Sequence, residues 1–131
     1  MNYLDTGVII SALFLRDDRQ ADCQTLLTPE NVTSSHALAE AFATLTGQYR
    51  IKNDLVAEAV LSAARSLRVE TFTTADYEAV IGSARARGIQ GGMIYDALHA
   101  QIARRLKVGK FFTFNVSNFE HVAADLDVRR P

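Results

Sequence analysis

Several polar side chains in this sequence could together hold a cation or a polar substrate. Asp5 follows a short extended segment, Glu40 lies within a helical segment, and Asp96 opens a later one. Two amides, Asn115 and Asn118, follow a hydrophobic segment near the end of the chain. Oxygen-only groups of this kind suit hard cations such as Mg²⁺ or Mn²⁺, which a few carboxylates hold while the ion keeps several waters. The residue types therefore predict metal-assisted chemistry, provided that the fold brings them together.

Each of the three carboxylates also has a purely structural explanation. Asp5 precedes a helical pattern, where its side chain could cap the helix by accepting backbone N–H groups. Glu40 could be a solvated surface residue, which is the usual fate of this residue type. Asp96, in a first helical turn, would be favoured there by the helix dipole. Only convergence of the three would favour a shared chemical role.

The hydrophobic pattern alternates short strands with helices, which predicts an α/β fold with a mostly parallel sheet of four or five strands. We predict strands at 1–4, 31–34, 69–72 and 110–114, an edge strand at 126–129, and helices at 8–15, 21–27, 36–46, 54–68, 74–88 and 93–107. Ligands of open α/β sheets bind outside the carboxyl ends of the strands. The polar residues named above are expected to converge at that edge.

Local signals predict helix ends and core faces. Helix caps are predicted at Ser34 or Ser35, at Thr73 with Asp76, and at Ser117 with Glu120, and Gly47 is predicted to end the third helix. Core stripes are predicted through Leu38, Phe42 and Leu45, through Leu55, Ala59 or Val60, Ala63 and Leu67, and through Tyr95, His99, Ile102 and Leu106. We therefore interpret His99 as a packed core histidine, and Cys23 as a small buried hydrophobe.

The composition predicts one globular domain over residues 1–131, because 48% of the residues are hydrophobic and 22% charged. The formal net charge is −1, so no overall basic balance indicates nucleic-acid binding, and any polyanion site must be local. A single cysteine excludes a disulfide framework and a multi-cysteine metal site. No apolar run approaches the ~20 residues of a membrane span. The N-terminal segment is a poor signal peptide, so a cytoplasmic setting is expected.

Familiar signatures of other enzyme classes are missing from the sequence. The glycine-rich segment 88–92 lacks the spacing of a phosphate-binding or dinucleotide-binding loop. There is no G-x-S-x-G elbow and no H-E-x-x-H helix. Chemistry through a covalent intermediate is therefore not indicated.

The order of the polar motifs resembles PIN-domain proteins of the VapC toxin type. The resemblance lies in Asp5-Thr6 near the N-terminus, Glu40 within 39–42, Asp96 within 95–100, and the segment 112–119. It covers essentially the whole chain and implies a PIN-like three-layer α/β/α sandwich. It assigns catalytic roles to Asp5, Glu40 and Asp96, and metal binding to Asp5 and Asp96, with Mg²⁺ as the ion and Mn²⁺ as a substitute.

The sequence departs from the family pattern in two places. Gly7 stands where the family often has Asn or Ser, and the fourth acidic position, within 113–119, is represented only by Asn115 and Asn118. An amide oxygen can ligate or orient a water but adds no negative charge, so a second metal would be held more weakly and one or two metals stay open. Side chains predicted to orient the carboxylates are Thr6, Ser35 and Thr113. Arg85 and Arg87 are our candidates for RNA phosphate contacts.

The resemblance implies a metal-dependent endoribonuclease acting as the toxin of a VapBC-type toxin–antitoxin pair. It also implies a homodimer, silenced by a cognate antitoxin that inserts basic side chains into the acidic site. Two alternatives stay open: a non-toxin PIN nuclease for RNA processing or for DNA, and a PIN-like binding module with a weakened site. A nucleotide-binding or receiver-like α/β domain is disfavoured, because no phosphate loop and no acidic pair at the first strand are present.

Overall fold

The computed structural model describes residues 1–14 and 18–131 and contains, in those residues, five strands and seven α-helices. The strands are β1 Tyr3–Leu4, β2 Val32–Ser34, β3 Arg68–Glu70, β4 Phe111–Phe112 and β5 Val128–Arg129. The helices are α1 Thr6–Leu13, α2 Arg19–Thr25, α3 Ser35–Ala43, α4 Asn53–Ser66, α5 Thr74–Arg87, α6 Met93–Arg105 and α7 Val116–Val122. The predicted end of the first helix at Leu15, and the start of the polar break after it, lie outside the described residues. No helix in the described part is long and apolar enough to cross a membrane.

All five strands are parallel, in the order β3-β2-β1-β4-β5, which confirms the predicted sheet and makes it five-stranded. The central strand is β1, in which Tyr3 pairs with Val32 on one side and with Phe111 on the other. The strands are shorter than predicted. The N–H of Asp5 still donates to the carbonyl of Phe112 (3.0 Å), but the chain then turns into α1 and the ladder stops.

The two residues of β1 face opposite sides of the sheet, as alternation along a strand requires. Tyr3 packs on one side with residues of α5, α6 and α7, among them Val80, Ile102 and Phe119. Leu4 packs on the other side with residues of α1, α3 and α4, among them Val8, Ala37 and Val56. The predicted three-layer α/β/α sandwich is confirmed. Cys23 is fully buried in the second cluster, as predicted.

Two of the predicted helix caps are confirmed. The Ser34 hydroxyl accepts from the N–H of Ala37 (2.9 Å) at the start of α3. At α5 the Thr73 hydroxyl accepts from the N–H of Asp76 (3.1 Å), while the Asp76 carboxylate accepts from the N–H of Thr73 (2.9 Å). This reciprocal pair satisfies two donors that a helix start otherwise leaves free.

Two other predicted helix ends are wrong. Gly47 does not end α3, because a π-helical turn, Thr44–Gln48, continues it, with the N–H of Tyr49 donating to the carbonyl of Thr44 (3.1 Å). The widened turn accommodates Gly47 inside the helix. Ser117 cannot cap α7, because that helix already begins at Val116.

The core stripes are correct in part. Leu45, His99 and Ile102 are buried, but Leu55 is 54% exposed and Tyr95 is 51% exposed. In α4 the buried face runs through Val56, Val60 and Ala63, so the predicted stripe is correct at Val60, Ala63 and Leu67 and wrong at Leu55. Leu55 precedes Ala59 by one helical turn and Val56 precedes Val60 by the same interval, so the sequence pattern alone could not choose between the two phases.

Gly88 ends α5 in the left-handed conformation (φ 67°), and a Cβ at this position would lie 3.3 Å from Nε2 of His121. We expect Gly88→Ala to lower the free energy of unfolding by about 1 kcal/mol or more, because L side chains rarely adopt this φ. Gly82→Ala, inside α5 with nothing within 4 Å of the added Cβ, should raise it. Urea unfolding measures the change in the free energy of unfolding for both variants. Equal changes for Gly88→Ala and Gly82→Ala would contradict the assignment of Gly88 as the cap.

Candidate active site

Asp5 stands at the carboxyl end of the central strand, where its carboxylate is held by two hydrogen bonds. Its Oδ1 accepts from the N–H of Thr6 (2.9 Å) and so caps α1. Its Oδ2 accepts from the hydroxyl of Thr113 (2.8 Å), which follows β4. Burial raises the pKa of Asp5 above its usual range, although His99 and the two hydrogen bonds offset part of that shift. The carboxylate is thus oriented by two adjacent strand ends.

Thr113 is fully buried, and its loss should destabilise the protein more as the pH rises. Its hydrogen bond favours the ionised form of Asp5, so Thr113→Val should raise the pKa of Asp5 further. We expect a loss of about 1.5–3 kcal/mol in the free energy of unfolding once Asp5 is ionised, the range for a hydrogen bond to a charged group.

The control for this prediction is Thr33→Val. The Thr33 hydroxyl is equally buried but donates to the backbone carbonyl of Leu4 (2.8 Å), a group that does not titrate. Denaturant unfolding across a pH series should therefore give a pH-dependent loss for Thr113→Val and a constant loss for Thr33→Val. Parallel curves would mean that Thr113 does not act on the Asp5 carboxylate.

Glu40 lies on α3, and its side chain is 37% exposed. Its Oε1 is 2.9 Å from Nε2 of His99 and 3.3 Å from Nε2 of His36. Desolvation acts to raise the pKa of Glu40, but the hydrogen bond and charge of His99, together with His36, lower it overall. Glu40 is therefore held as a carboxylate and is not a freely solvated surface residue.

Asp96 lies in the first turn of α6, as predicted. Desolvation and the negative charge of Asp5 raise the pKa of Asp96 to about 6, with a further contribution from Glu40. Since charge repulsion of this kind acts over a short range, the three predicted carboxylates share one electrostatic environment. The structure thus brings together the residues that the sequence separates by up to 91 positions.

A buried hydrogen-bonded chain connects the core to this group of carboxylates. The hydroxyl of Tyr3 lies 2.5 Å from Nδ1 of His99, and Nε2 of His99 faces Glu40. Burial raises the pKa of Tyr3, so its hydroxyl stays protonated at the inner end of this chain. A carboxylate can only accept hydrogen bonds, so Nε2 of His99 carries a proton and donates to Glu40. His99 thereby orients Glu40, and its hydrogen bond with Tyr3 holds the imidazole in place.

The carboxylates fit a hard cation by the chemistry of their donors. Oxygen ligands of this kind suit Mg²⁺ or Mn²⁺, and the raised pKa values of Asp5 and Asp96 reflect negative charge that a cation would neutralise. The Thr6 hydroxyl is buried at this site and contributes to the lowered pKa of Glu40. Within residues 1–14 and 18–131, however, no three His, Cys, Asp or Glu side chains are grouped so as to hold a metal ion as they stand.

The remaining predicted site residues are placed less centrally. Asn115 precedes α7 and is exposed, and its N–H donates to the hydroxyl of Thr113 (3.1 Å). Asn118 is exposed on α7, and Ser35 is the half-buried first residue of α3. Roles for these three in binding a metal or orienting a carboxylate stay predictions.

Arg85 and Arg87, our candidates for phosphate contacts, lie in the last turn of α5. Arg85 is exposed, whereas the guanidinium of Arg87 donates to the carbonyl of Val122 (3.0 Å) and to the hydroxyl of Ser83 (3.3 Å). Arg87 is thus engaged in connecting α5 to α7. RNA binding by either residue stays a prediction.

Sequence reasoning missed Tyr3 and underestimated His99. His99 is buried, as predicted, but it also contacts Glu40. One signal could have identified both residues. Tyr3 precedes Asp5 by two residues, so the two side chains share a face of the strand, and His99 follows Asp96 by about one helical turn.

Comparisons with known proteins place the chain in a family and show which solved structures share its fold. The model of the PIN domain family matches residues 3–125. Because the match covers nearly the whole chain, the protein belongs to the PIN domain family. A comparison with curated proteins gives no match.

Solved structures with the same fold include bacterial toxins and toxin–antitoxin complexes. VapC20 of Mycobacterium tuberculosis, a toxin that cleaves the sarcin-ricin loop, has a TM-score of 0.75 and 19% identity over the whole of both chains. VapBC2 of Rickettsia felis, bound to a promoter DNA fragment, gives 0.73 and 20% over 100% of this chain and 99% of the other. A toxin–antitoxin complex from Klebsiella pneumoniae gives 0.70 and 15% over 100% and 98%. At these identities the likeness shows the shared fold.

Proposed function

We propose that this protein is a single-domain, metal-dependent endoribonuclease of the cytoplasm that acts as the toxin of a toxin–antitoxin pair. The observation that carries the proposal is the convergence of three carboxylates, Asp5, Glu40 and Asp96, beside the central strand of a PIN fold. Three neighbouring carboxylates destabilise the folded protein, because each raises the energy of ionising the others. Their presence together therefore favours a functional role over a structural one.

Each residue of the site has a separate role in the proposed hydrolysis. Asp5 and Asp96 would hold the cation, Mg²⁺ or Mn²⁺, and Glu40 would complete the acidic group. A bound divalent cation lowers the pKa of a coordinated water and offsets charge developing on the phosphate. Thr113 keeps Asp5 oriented, and His99 keeps an Oε1 of Glu40 in place. A bound cation would lower the pKa of Asp96 below its metal-free value of about 6, so that Asp96 would serve as an ionised ligand at neutral pH.

The toxin role is supported by the structural neighbours, which include a toxin that cleaves RNA and several toxin–antitoxin complexes. An acidic site with raised pKa values would attract the basic side chains of an antitoxin, because a cation there relieves the repulsion between Asp5 and Asp96. We further propose that the protein acts as a homodimer. A non-toxin PIN nuclease would use the same site for RNA processing.

One observation favours a second candidate, a PIN-like binding module with weak or absent catalysis. In residues 1–14 and 18–131 the acidic side chains are not arranged as a ready metal site, and the fourth acidic position of the family is an amide in this chain. Such a protein would bind RNA or a partner without cutting.

The test is cleavage of a pool of structured RNAs by the purified protein, with Mg²⁺ or Mn²⁺ against a chelator, beside Asp96→Asn. The nuclease proposal expects cleavage that needs the metal and is lost in Asp96→Asn. Metal binding is followed separately by calorimetry. A wild-type protein that neither binds metal nor cuts RNA would favour the binding module over the nuclease.

A further inference from the structure

Four aromatic side chains form a continuous cluster beside the carboxylates. We call this cluster the aromatic platform; its members are His36 of α3, Phe72 after β3, Tyr77 of α5 and Tyr95 of α6. They come from four separate elements, so the fold assembles the cluster.

Each ring of the platform contacts the next. The rings of Tyr95 and His36 are stacked in parallel, with centroids 5.4 Å apart and an interplanar angle of 4°. His36 lies 5.7 Å from Phe72, which in turn meets Tyr77 edge to face at 5.9 Å. Phe72 also contacts the buried His99 at 5.6 Å, so the platform is anchored to the core.

The platform is continuous with the candidate active site and open to solvent. Nε2 of His36 is 3.3 Å from Oε1 of Glu40, and Tyr95 immediately precedes Asp96. Tyr95 is nevertheless 51% exposed and Tyr77 is 41% exposed. The parallel rings of His36 and Tyr95 are offset, with centroids 5.4 Å apart, so His36 overlaps only part of the Tyr95 ring. A half-exposed aromatic ring, supported by His36, therefore adjoins the acidic group.

We propose that Tyr95, supported by His36, is a base-stacking subsite for an unpaired RNA nucleotide next to the bond that is cut. This inference rests on the proposed ribonuclease function and names the form of its substrate. Aromatic side chains bind unpaired RNA bases by stacking on their faces. A base inside a duplex has both faces covered, so the subsite would select single-stranded segments or loops.

The charge of the site explains why such a subsite is needed. Phosphates approaching Asp5, Glu40 and Asp96 are repelled unless a cation is bound, and the net charge of −1 supplies no general attraction to RNA. Stacking does not depend on the charge of the protein. It can hold the strand beside an acidic centre that would otherwise weaken binding.

The test uses the RNA found to be cut in the cleavage assay, shortened to a single-stranded oligonucleotide with 2-aminopurine beside the cut site. Binding is measured without metal, so that no cutting occurs. Stacking on Tyr95 should quench the fluorescence of 2-aminopurine. Tyr95→Ala should lose most of the quenching and weaken binding by about tenfold or more, whereas Tyr95→Phe, which keeps the ring face, should behave as wild type.

Tyr49→Ala is the matched control. Tyr49 is 45% exposed, similar to Tyr95, but follows the π-helical turn and belongs to no ring contact found in residues 1–14 and 18–131. It should bind RNA as wild type does. Circular dichroism and unfolding curves of Tyr95→Ala should match those of wild type, since the ring is a surface group.

The outcomes separate this inference from the proposed function. Metal-dependent cleavage by wild type, with equal binding and quenching by Tyr95→Ala, would overturn the stacking subsite and leave the ribonuclease intact. A wild type that neither binds metal nor cuts RNA would overturn both. A change in oligomeric state of Tyr95→Ala, seen by light scattering together with unchanged RNA binding, would mean that the platform contacts a second copy of the chain and would also overturn the subsite.

Discussion

Asp5→Asn is expected to abolish RNA cleavage and, at the same time, to make the metal-free protein more stable at neutral pH. Asparagine keeps an oxygen that can accept from the N–H of Thr6, so the cap of α1 survives. It removes the buried charge whose desolvation raises the pKa of Asp5. Cleavage should fall by a factor of about 100 or more, since losing one carboxylate removes a ligand charge at the reacting centre.

Asp96→Asn should likewise lose RNA cleavage while making the metal-free protein more stable. In this variant the gain in stability should depend on pH in a defined way. The pKa of Asp96 is raised from 3.8 to about 6 in the folded protein. A raised folded-state pKa contributes stability that is fully present below the unfolded pKa and is lost as the pH rises through the folded one. Metal-free wild type should therefore lose stability relative to Asp96→Asn between about pH 4 and about pH 7. Allowing for the half-exposed position of Asp96, we expect a relative loss of about 1–2 kcal/mol.

Urea unfolding of wild type, Asp5→Asn and Asp96→Asn in chelator, over a pH series, measures these differences. Adding Mg²⁺ should then stabilise wild type and leave the two variants nearly unchanged, because binding to the folded state alone raises stability. Asp54→Asn, at an exposed position in the first turn of α4, is the control, and its curve should stay parallel to that of wild type. Variants that are less stable than wild type at neutral pH would contradict the repulsion between the carboxylates.

His99→Ala should lower the free energy of unfolding by about 3–5 kcal/mol, because it leaves a cavity and removes the hydrogen-bond partner of polar groups in the core. The ring is 1% exposed and bridges Tyr3 and Glu40. The variant also removes the hydrogen bond that lowers the pKa of Glu40, so that pKa should rise. A loss of this size is a large part of the stability of an ordinary domain.

Two further variants keep this prediction testable if His99→Ala does not fold. Tyr3→Phe retains the ring and removes only the hydroxyl that is hydrogen-bonded to Nδ1 of His99, so a smaller loss of about 1–2 kcal/mol is expected. His121→Ala, at an exposed position on α7, should cost much less than His99→Ala. Differential scanning calorimetry gives all three values. Similar losses for His99→Ala and His121→Ala would show that the buried chain does not stabilise the fold.

Much of the fold was predictable because most elements carried a local signal, although β2 had only a weak one and was inferred partly from the alternation of elements. The alternation of strands and helices gave the parallel α/β architecture, and Thr73 with Asp76 correctly marked the start of α5. Helix phase was harder to predict. Leu55 and Val56 both belong to apolar stripes with helical spacing, and only packing against α1 and α3 decides which of them is buried. The π-helical turn at Gly47 was equally invisible, since its hydrogen bonds depend on tertiary packing.

The candidate site was predictable only as residue types at strand ends. The structure brings Asp5, Glu40 and Asp96 into one electrostatic environment, as expected for the carboxyl edge of a parallel sheet. The contacts that hold them were not predictable in the same way. The bond from Thr113 to Asp5 and the chain from Tyr3 through His99 depend on side-chain orientations that no sequence spacing specifies.

The central position of β1 has a consequence for how the protein is made. The strand is synthesised before the other four, yet one of its two neighbours, β4, lies more than a hundred residues later, and Thr113 must reach Asp5 across the same interval. A nascent chain on the ribosome therefore carries β1 without that neighbour until β4 has been made. Such non-local pairing slows folding. It also means that a fragment ending before Thr113 lacks the hydrogen bond that orients Asp5, so this carboxylate takes its final position only after that residue has been added.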